Sequence, residues 1–73
     1  MAGRHWSEID QESWDNIEIY ISEDTGQFSV EFDYTGRNNQ DYHYPREKIS
    51  FDDFLDIYDE AIELDQDVEV GYG

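Results

Sequence analysis

The chain has 73 residues and a mass of 8.7 kDa, and its 20 Asp and Glu against 4 Lys and Arg give a formal charge of −16. This length allows one domain, which buries only about 60% of the surface that its unfolded chain would expose. Without Cys, the chain forms no disulfide framework, no thiolate zinc site and no Cys nucleophile. The composition therefore excludes a multidomain enzyme and a disulfide-stapled secreted miniprotein.

Aromatic residues supply much of the apolar surface, because the chain contains 4 Phe, 6 Tyr and 2 Trp. Each buried aromatic side chain removes roughly 150–250 Å² from water, so we expect the chain to fold. No apolar run approaches the ~20 residues of a membrane span, and the N-terminal residues lack the apolar stretch of a signal peptide. We therefore expect a cytoplasmic protein without membrane contact, acting in the host cytoplasm if a phage encodes it.

A short helix or coil is predicted over residues 7–13, because Ser7 can act as its N-cap. The pattern then changes to alternation of apolar and polar residues, which predicts a β-hairpin over residues 16–34. Residues 23–26 have the composition of a turn, and Gly26 supplies the positive φ that such turns need.

The four-residue turn sets the register of this hairpin. It places the apolar residues of both strands on one face, as a stable hairpin requires. On the other face it puts Glu18 opposite Glu31 and Asn16 opposite Asp33. Like charges on neighbouring strands destabilise a sheet, so folding alone does not account for this arrangement.

A third strand is predicted over residues 41–45, ended by Pro45, and residues 67–72 form a possible fourth strand. Ser50 is a good N-cap, and the apolar spacing after it predicts a helix over residues 51–64. We expect its apolar side to pack on the sheet, and that side comprises Phe51, Phe54, Leu55, Tyr58, Ala61 and Ile62. The predicted fold is therefore α+β, a small antiparallel three- to four-stranded sheet packed against one C-terminal amphipathic acidic helix.

The predicted helix is rich in carboxylates, and the chain has no Lys or Arg from Ile49 onwards. Like charges three or four residues apart in a helix cost about 0.2–0.5 kcal/mol per pair. Capping and the helix dipole account for the acids of the first turn but not for the later ones. The candidate partner-binding residues are Asp52, Asp53, Asp56, Asp59, Glu60 and Glu63, joined by Glu18, Glu31 and Asp33 if the outer face of the sheet is also used.

The charge density is similar to that of DNA. Sixteen charges correspond to about 27 Å of duplex DNA, which carries one charge per ~1.7 Å of axis. A compact domain of this length is roughly 29 Å across. In size, lack of Cys, paired strands and carboxylate-rich helix, the chain resembles the small acidic DNA mimics of phages and mobile elements, among them anti-CRISPR proteins, anti-restriction proteins and inhibitors of uracil-DNA glycosylase.

This resemblance implies inhibition by occlusion of a basic nucleic-acid-binding protein, such as a CRISPR–Cas effector, a restriction enzyme or another nuclease complex. Members of this class share no motif, so no functional residue is carried over by position. Direct binding to nucleic acid is disfavoured, because the acidic surface repels phosphates. We expect a monomer or a weak homodimer, and self-repulsion directs any homodimer to the aromatic side or to an exposed strand edge.

Chemical motifs are weak in this sequence. Residues 24–26 spell the aspartic-protease triplet but are predicted to be a turn, and residues 65–69 lack the glycine and glutamate positions of a calcium loop. His5 and His43 have no metal-ligand spacing, and no nucleophile is paired with a base. We therefore predict no enzyme activity, catalytic residue, metal site or cofactor.

Several aromatic residues offer a second contact surface, formed by Tyr42, His43, Tyr44, Trp14 and Tyr20. In the alternative interpretation, Tyr42 or Tyr44 fills the core. The nearby cations Arg37, Arg46 and Lys48 are expected to offset local repulsion.

Two other functions are compatible with the charge. An immunity or antitoxin protein would block a basic toxin, such as a ribonuclease, by the same physics. A salt-adapted small domain of unrelated function would use its carboxylates for hydration, and its folding would require molar salt.

Overall fold

The computed structural model of this chain describes residues 5–72, apart from the side chain of Arg37. The 3₁₀ turns Trp6–Glu8 and Gln11–Ser13 lead into the sheet, and a third, Arg37–Asn39, links two strands. The strands are β1 (Trp14–Ile21), β2 (Phe28–Thr35), β3 (Asp41–Ile49) and β4 (Val68–Tyr72), and the helix α1 (Phe51–Glu63) connects β3 to β4. The predicted α+β class is confirmed.

The sheet has the strand order β3-β2-β1-β4. β1 pairs antiparallel with β2, and β2 pairs antiparallel with β3, whereas β4 pairs parallel with β1. The sheet is therefore mixed, although a wholly antiparallel one was predicted. The reason is that α1 crosses over the sheet between β3 and β4. β4 therefore runs in the same direction as β3, which is also the direction of β1.

The hairpin register is confirmed near its turn. Glu18 lies opposite Glu31, and the Ser22 amide donates to the Gln27 carbonyl at 2.9 Å across the loop. Gly26 has φ +70°, the conformation that the turn needs.

Farther from the turn, the register differs from the prediction. Asp15, rather than Asn16, lies opposite Asp33, because a β-bulge inserts one residue between Asp15 and Glu18. Asn16 adopts φ 51° at this bulge. The extra residue allows Trp14 to lie on the buried face, as Ile17 does.

β3 does not end at Pro45, as predicted, but continues to Ile49. β3 is an edge strand, where a proline removes no ladder hydrogen bond from the sheet interior. A register shift also places Pro45 and Arg46 opposite the single residue Glu31, so the proline lies in a bulge.

The core lies between the sheet, α1 and the N-terminal turns. Phe32 stacks between Trp14 and Tyr44, with ring centroids 3.7 and 4.7 Å apart. Tyr44 therefore fills the core, whereas Tyr42 is exposed. The buried residues are Ile9, Trp14, Ile17, Ile19, Val30, Phe32, Tyr44, Ile57 and Ala61.

The helix α1 and the N-terminal turn Trp6–Glu8 both begin at identifiable caps. Ser50 accepts a hydrogen bond from the Asp53 amide at 3.0 Å, so the predicted cap of α1 is confirmed. Ser7 is not the cap of the N-terminal turn, because the turn begins earlier and its cap is His5. The His5 side chain accepts a hydrogen bond from the Ser7 amide, and the Glu8 side chain accepts one from the His5 amide. This reciprocal pair satisfies more backbone donors than a cap at Ser7.

Candidate protein-interaction surfaces

The helix α1 presents three parallel stripes, because residues three and four apart share a face of a helix. One stripe packs on the sheet and comprises Phe54, Ile57 and Ala61. A second, here called the apolar stripe, comprises Phe51, Leu55, Tyr58 and Ile62. The third, the acidic stripe, comprises Asp52, Asp56, Asp59 and Glu63.

The apolar stripe is largely uncovered by the sheet, although Phe51 reaches it, with its ring centroid 5.6 Å from that of Phe28 in β2. The predicted packing of the whole apolar side is therefore wrong for most of the stripe's four members. They are 56, 46, 40 and 62% exposed in chain order, whereas Ile57 and Ala61 are completely buried. At about 100° per residue, the apolar residues of α1 cover roughly half its circumference. One face of a sheet cannot cover such a wide arc, and the sheet takes the side centred on Ile57.

The acidic stripe is fully on the surface, because all four of its residues are exposed. The other two predicted helix acids, Asp53 and Glu60, are half-buried. Glu60 lines a pocket together with Trp6 and Ile9 of the N-terminal segment. Four of the six helix acids therefore form one continuous row, whereas Asp53 and Glu60 are half-buried, with Glu60 beside the N-terminal segment.

The carboxylates of α1 have no salt-bridge partner in the part of the chain that the structure describes. Among residues 5–72, no salt bridge and no side-chain hydrogen bond includes a carboxylate of this helix. Its 13 residues span about 20 Å at 1.5 Å per residue. Six carboxylates on this length amount to one per ~3.3 Å, close to the ~3.4 Å between charges along one DNA strand.

The outer face of the sheet is arranged differently, because polar groups contact its carboxylates. The Tyr20 hydroxyl donates to Glu18 and lies 3.4 Å from Glu31. The guanidinium of Arg46 lies 3.6 Å from the centre of the Tyr20 ring. Bonding to the Glu18 carboxylate raises the pKa of Tyr20. Arg46 thus lies where it lessens the repulsion between the two glutamates.

His43 completes this outer-face cluster. Its Nδ1 lies 2.7 Å from Asp33 Oδ1, and its Nε2 lies 3.0 Å from Glu31 Oε2. Only the imidazolium form can donate from both ring nitrogens. The hydrogen bond to Asp33 is the main cause that raises the pKa of His43, and the same bond lowers the pKa of Asp33, to which Asn16 also donates.

The predicted site residues thus fall into two groups that the fold separates. Glu18, Glu31 and Asp33 lie on the outer face of the sheet beside polar partners, whereas the acids of α1 have no side-chain partner within residues 5–72. The predicted aromatic patch does not form, because Trp14 and Tyr44 are buried on one side of the sheet and Tyr20 lies on the other.

Sequence reasoning missed the apolar stripe and the cluster of Tyr20, Arg46 and His43. The stripe had a visible signal, because residues 51, 55, 58 and 62 repeat at the spacing of residues 52, 56, 59 and 63, shifted by one position. The cluster had none, since it depends on the bulge that places Arg46 beside β2.

Within residues 5–72, no group of three or more His, Asp or Glu is arranged to hold a metal ion. The single helix of this part of the chain is too short and too polar to cross a membrane. Comparison of the chain with protein-family models, curated proteins and solved structures found no match.

Proposed function

We propose that this protein binds a basic nucleic-acid-binding protein, such as a CRISPR–Cas effector, a restriction enzyme or another nuclease, and inhibits it by occupying its nucleic-acid site. The observation that carries this proposal is the acidic stripe of α1, whose carboxylates have no partner among the described residues. On this proposal the protein acts in the cytoplasm and performs no catalytic step of its own.

The contrast between the two acidic surfaces supports the choice of α1. On the outer face of the sheet, His43 bonds two of the carboxylates and Arg46 lies over Tyr20 beside them. A partner's cations therefore gain less there. The stripe on α1 keeps its like-charge repulsion, which lowers helix stability and is relieved when cations approach. A basic groove that accepts a DNA strand meets a similar linear density of charge on this helix.

Charge complementarity of this kind has two measurable consequences. It raises the rate of association towards 10⁸–10⁹ M⁻¹s⁻¹ at low salt. It also makes binding salt-dependent, because the Debye length falls from about 10 Å at 0.1 M to about 3 Å at 1 M ionic strength. We therefore expect a complex that forms quickly and is eluted by salt.

The experiment is affinity capture from a bacterial lysate at low salt, eluted with a salt gradient. The protein is compared with Asp56→Lys/Glu63→Lys in the acidic stripe and with Asp15→Lys/Asp41→Lys, a sheet variant whose substituted residues are exposed at the starts of β1 and β3. Both double variants change the formal charge by the same four units, so only the position of the charges differs.

The proposal predicts that the wild type and the sheet variant capture the same nucleic-acid-binding protein and that the stripe variant does not. Equal capture by all three proteins, or capture by none, contradicts it. Folding of the wild type only in molar salt would instead support a salt-adapted domain, and circular dichroism in low and high salt measures this directly.

A further inference from the structure

The apolar stripe of α1 has the spacing of a coiled-coil contact. Its residues follow one another at intervals of four, three and four, which corresponds to successive d and a positions of a heptad pattern. In that pattern the neighbouring g positions, Phe54 and Ala61, face the core, and the e positions, Asp52 and Asp59, border the stripe on its solvent side. The stripe is thus a helix-contact surface that the described fold leaves largely unused, apart from the contact of Phe51 with Phe28 of β2.

The stripe faces the β4 side of the molecule. The N-terminal segment lies on the other flank of α1, where Trp6 and Ile9 line a pocket with Glu60 and Leu64. Trp6 lies beside Trp14 of β1 and Tyr44 of β3, so the start of this segment lies over the β3-to-β1 part of the sheet. Gln11 reaches Gln66 just past the end of the helix. A right-handed β3–α1–β4 crossover, the hand of nearly all such units, likewise turns the stripe towards β4.

The inner face of β4 is uncovered on the same side. Val70 pairs with Ile19 and Tyr72 with Ile21, so both point to the face on which α1 packs. They are nevertheless 44 and 71% exposed. Strands are about 4.8 Å apart and packed helices 8–10 Å, so one helix covers roughly two strands. A second helix beside α1 would cover β4.

The combined area is large for a domain of this size. With Val70 and Tyr72, the apolar stripe exposes roughly 600 Å² of apolar side chain, judged from ~200 Å² for a whole aromatic residue. Apolar patches of about 300–600 Å² are the largest on typical monomers and are often functional. The area is close to the ~800 Å² per partner of a standard interface.

The charges beside the stripe decide what covers it. In an antiparallel pair of two copies of α1, the e positions of one helix approach those of the other, so Asp52 and Asp59 would face like charges. The described cations Arg46 and Lys48 lie on β3, at the opposite edge of the sheet. Among the described side chains, a second copy therefore brings no cation to this surface.

We infer that the apolar stripe and the inner face of β4 bind a cationic amphipathic helix of the partner, with its apolar side on the stripe and its Lys or Arg side chains on the acidic stripe. This inference rests on the proposed function and deepens it, because it states which element of the basic partner is recognised. The apolar contact slows dissociation, whereas the acidic stripe accelerates association.

The test uses a fluorescently labelled peptide probe of about 18 residues, long enough to form a helix, with Leu at heptad a and d positions and Lys beside them. A control peptide has the same composition with Leu distributed around the helix. Fluorescence anisotropy measures binding to the wild type, to Leu55→Gln/Ile62→Gln, to Asp52→Asn/Asp59→Asn and to Tyr42→Gln. Tyr42 is a matched control, because it is 44% exposed but lies on β3.

We expect each stripe variant to bind the probe at least tenfold more weakly than the wild type, and the Tyr42 variant to bind it unchanged. The control peptide should bind at least tenfold more weakly than the probe. Circular dichroism confirms that the variants fold, which the exposure of all substituted side chains favours. Equal binding of both peptides, or undiminished binding by Leu55→Gln/Ile62→Gln, overturns the inference.

Sedimentation of the wild type alone tests whether a second copy of the chain covers the apolar stripe. A monomer is expected, and a dimer that Leu55→Gln/Ile62→Gln dissociates would assign the stripe to a second copy and overturn the inference. The two proposals fail separately. If the Leu55→Gln/Ile62→Gln variant inhibits the captured target as strongly as the wild type does, only this inference is wrong. If the wild type binds the peptide probe but the captured target still binds nucleic acid in the presence of the wild type, the occlusion proposal is wrong.

Discussion

Neutralising Asp56 should stabilise the protein, because this residue lies at the centre of the acids of α1. Asp52 and Asp53 precede it by four and three residues, and Asp59 and Glu60 follow it at the same spacings. Each such pair costs about 0.2–0.5 kcal/mol, so Asp56→Asn should raise the free energy of unfolding by roughly 1–2 kcal/mol at low salt. Asp and Asn have similar helix propensities, and Asp56 is exposed, so little else changes.

The assay is thermal unfolding followed by circular dichroism at about 10 mM and about 1 M ionic strength, where the Debye lengths are about 30 and 3 Å. For a domain of this size, 1 kcal/mol shifts the Tm by about 4–8 °C. The Tm of Asp56→Asn should exceed that of the wild type by this amount or more in low salt and match it in high salt.

Asp24→Asn is the matched control, because it removes one carboxylate from the exposed hairpin turn and leaves α1 unchanged. Its Tm should stay close to that of the wild type. If Asp56→Asn is no more stable than the wild type in low salt, or if Asp24→Asn is stabilised equally, the repulsion is not local to α1 and the reasoning is wrong.

Three further predictions concern other parts of the fold. The pKa of His43 is raised in the folded state, so protonated His43 stabilises the wild type relative to His43→Gln. This stabilisation should be complete below pH ~6.5 and decline as the pH rises through the raised pKa, and urea unfolding at several pH values measures it. Trp14→Phe should retain most of the stability, because the buried indole nitrogen has no hydrogen-bond partner among residues 5–72. Trp14→Ala should lose about 3–5 kcal/mol in the same assay. Gly26→Ala should cost about 1–2 kcal/mol, since Gly26 has φ +70°, whereas Gly71→Ala, in open space, should change the unfolding midpoint little.

The parts of the fold that depend on local patterns could be predicted from the sequence. Alternation defined the hairpin, and its short turn set the pairing of Glu18 with Glu31. The cap at Ser50 and the apolar spacing after it located α1 to within one residue at its C-terminal end. These features depend on neighbours along the chain, which a sequence displays directly.

The parts that depend on the tertiary arrangement could not be predicted. The bulge at Asn16 shifts the register by one residue, and nothing in the alternation indicates it. β3 continues past Pro45 because it is an edge strand and the proline lies in a bulge. The side of α1 that faces the sheet was also ambiguous, because its apolar arc is wider than one contact surface.

For the candidate site, the sequence identified the acids but not their environments. All nine predicted carboxylates carry formal charge, yet only the fold shows that His43 bonds two of those on the sheet. It also shows that Asp53 and Glu60 are half-buried. The surface that remains for a partner is therefore smaller and more sharply defined than the sequence suggested.

Competition with nucleic acid shows whether the protein occupies the nucleic-acid site of its target. The captured target is bound to a fluorescently labelled duplex at low salt, and the protein or its Asp56→Lys/Glu63→Lys variant is added while anisotropy is recorded. We expect the wild type to displace the duplex completely, the variant not to displace it, and rising salt to weaken the displacement. A ternary complex of target, duplex and wild-type protein would contradict this expectation.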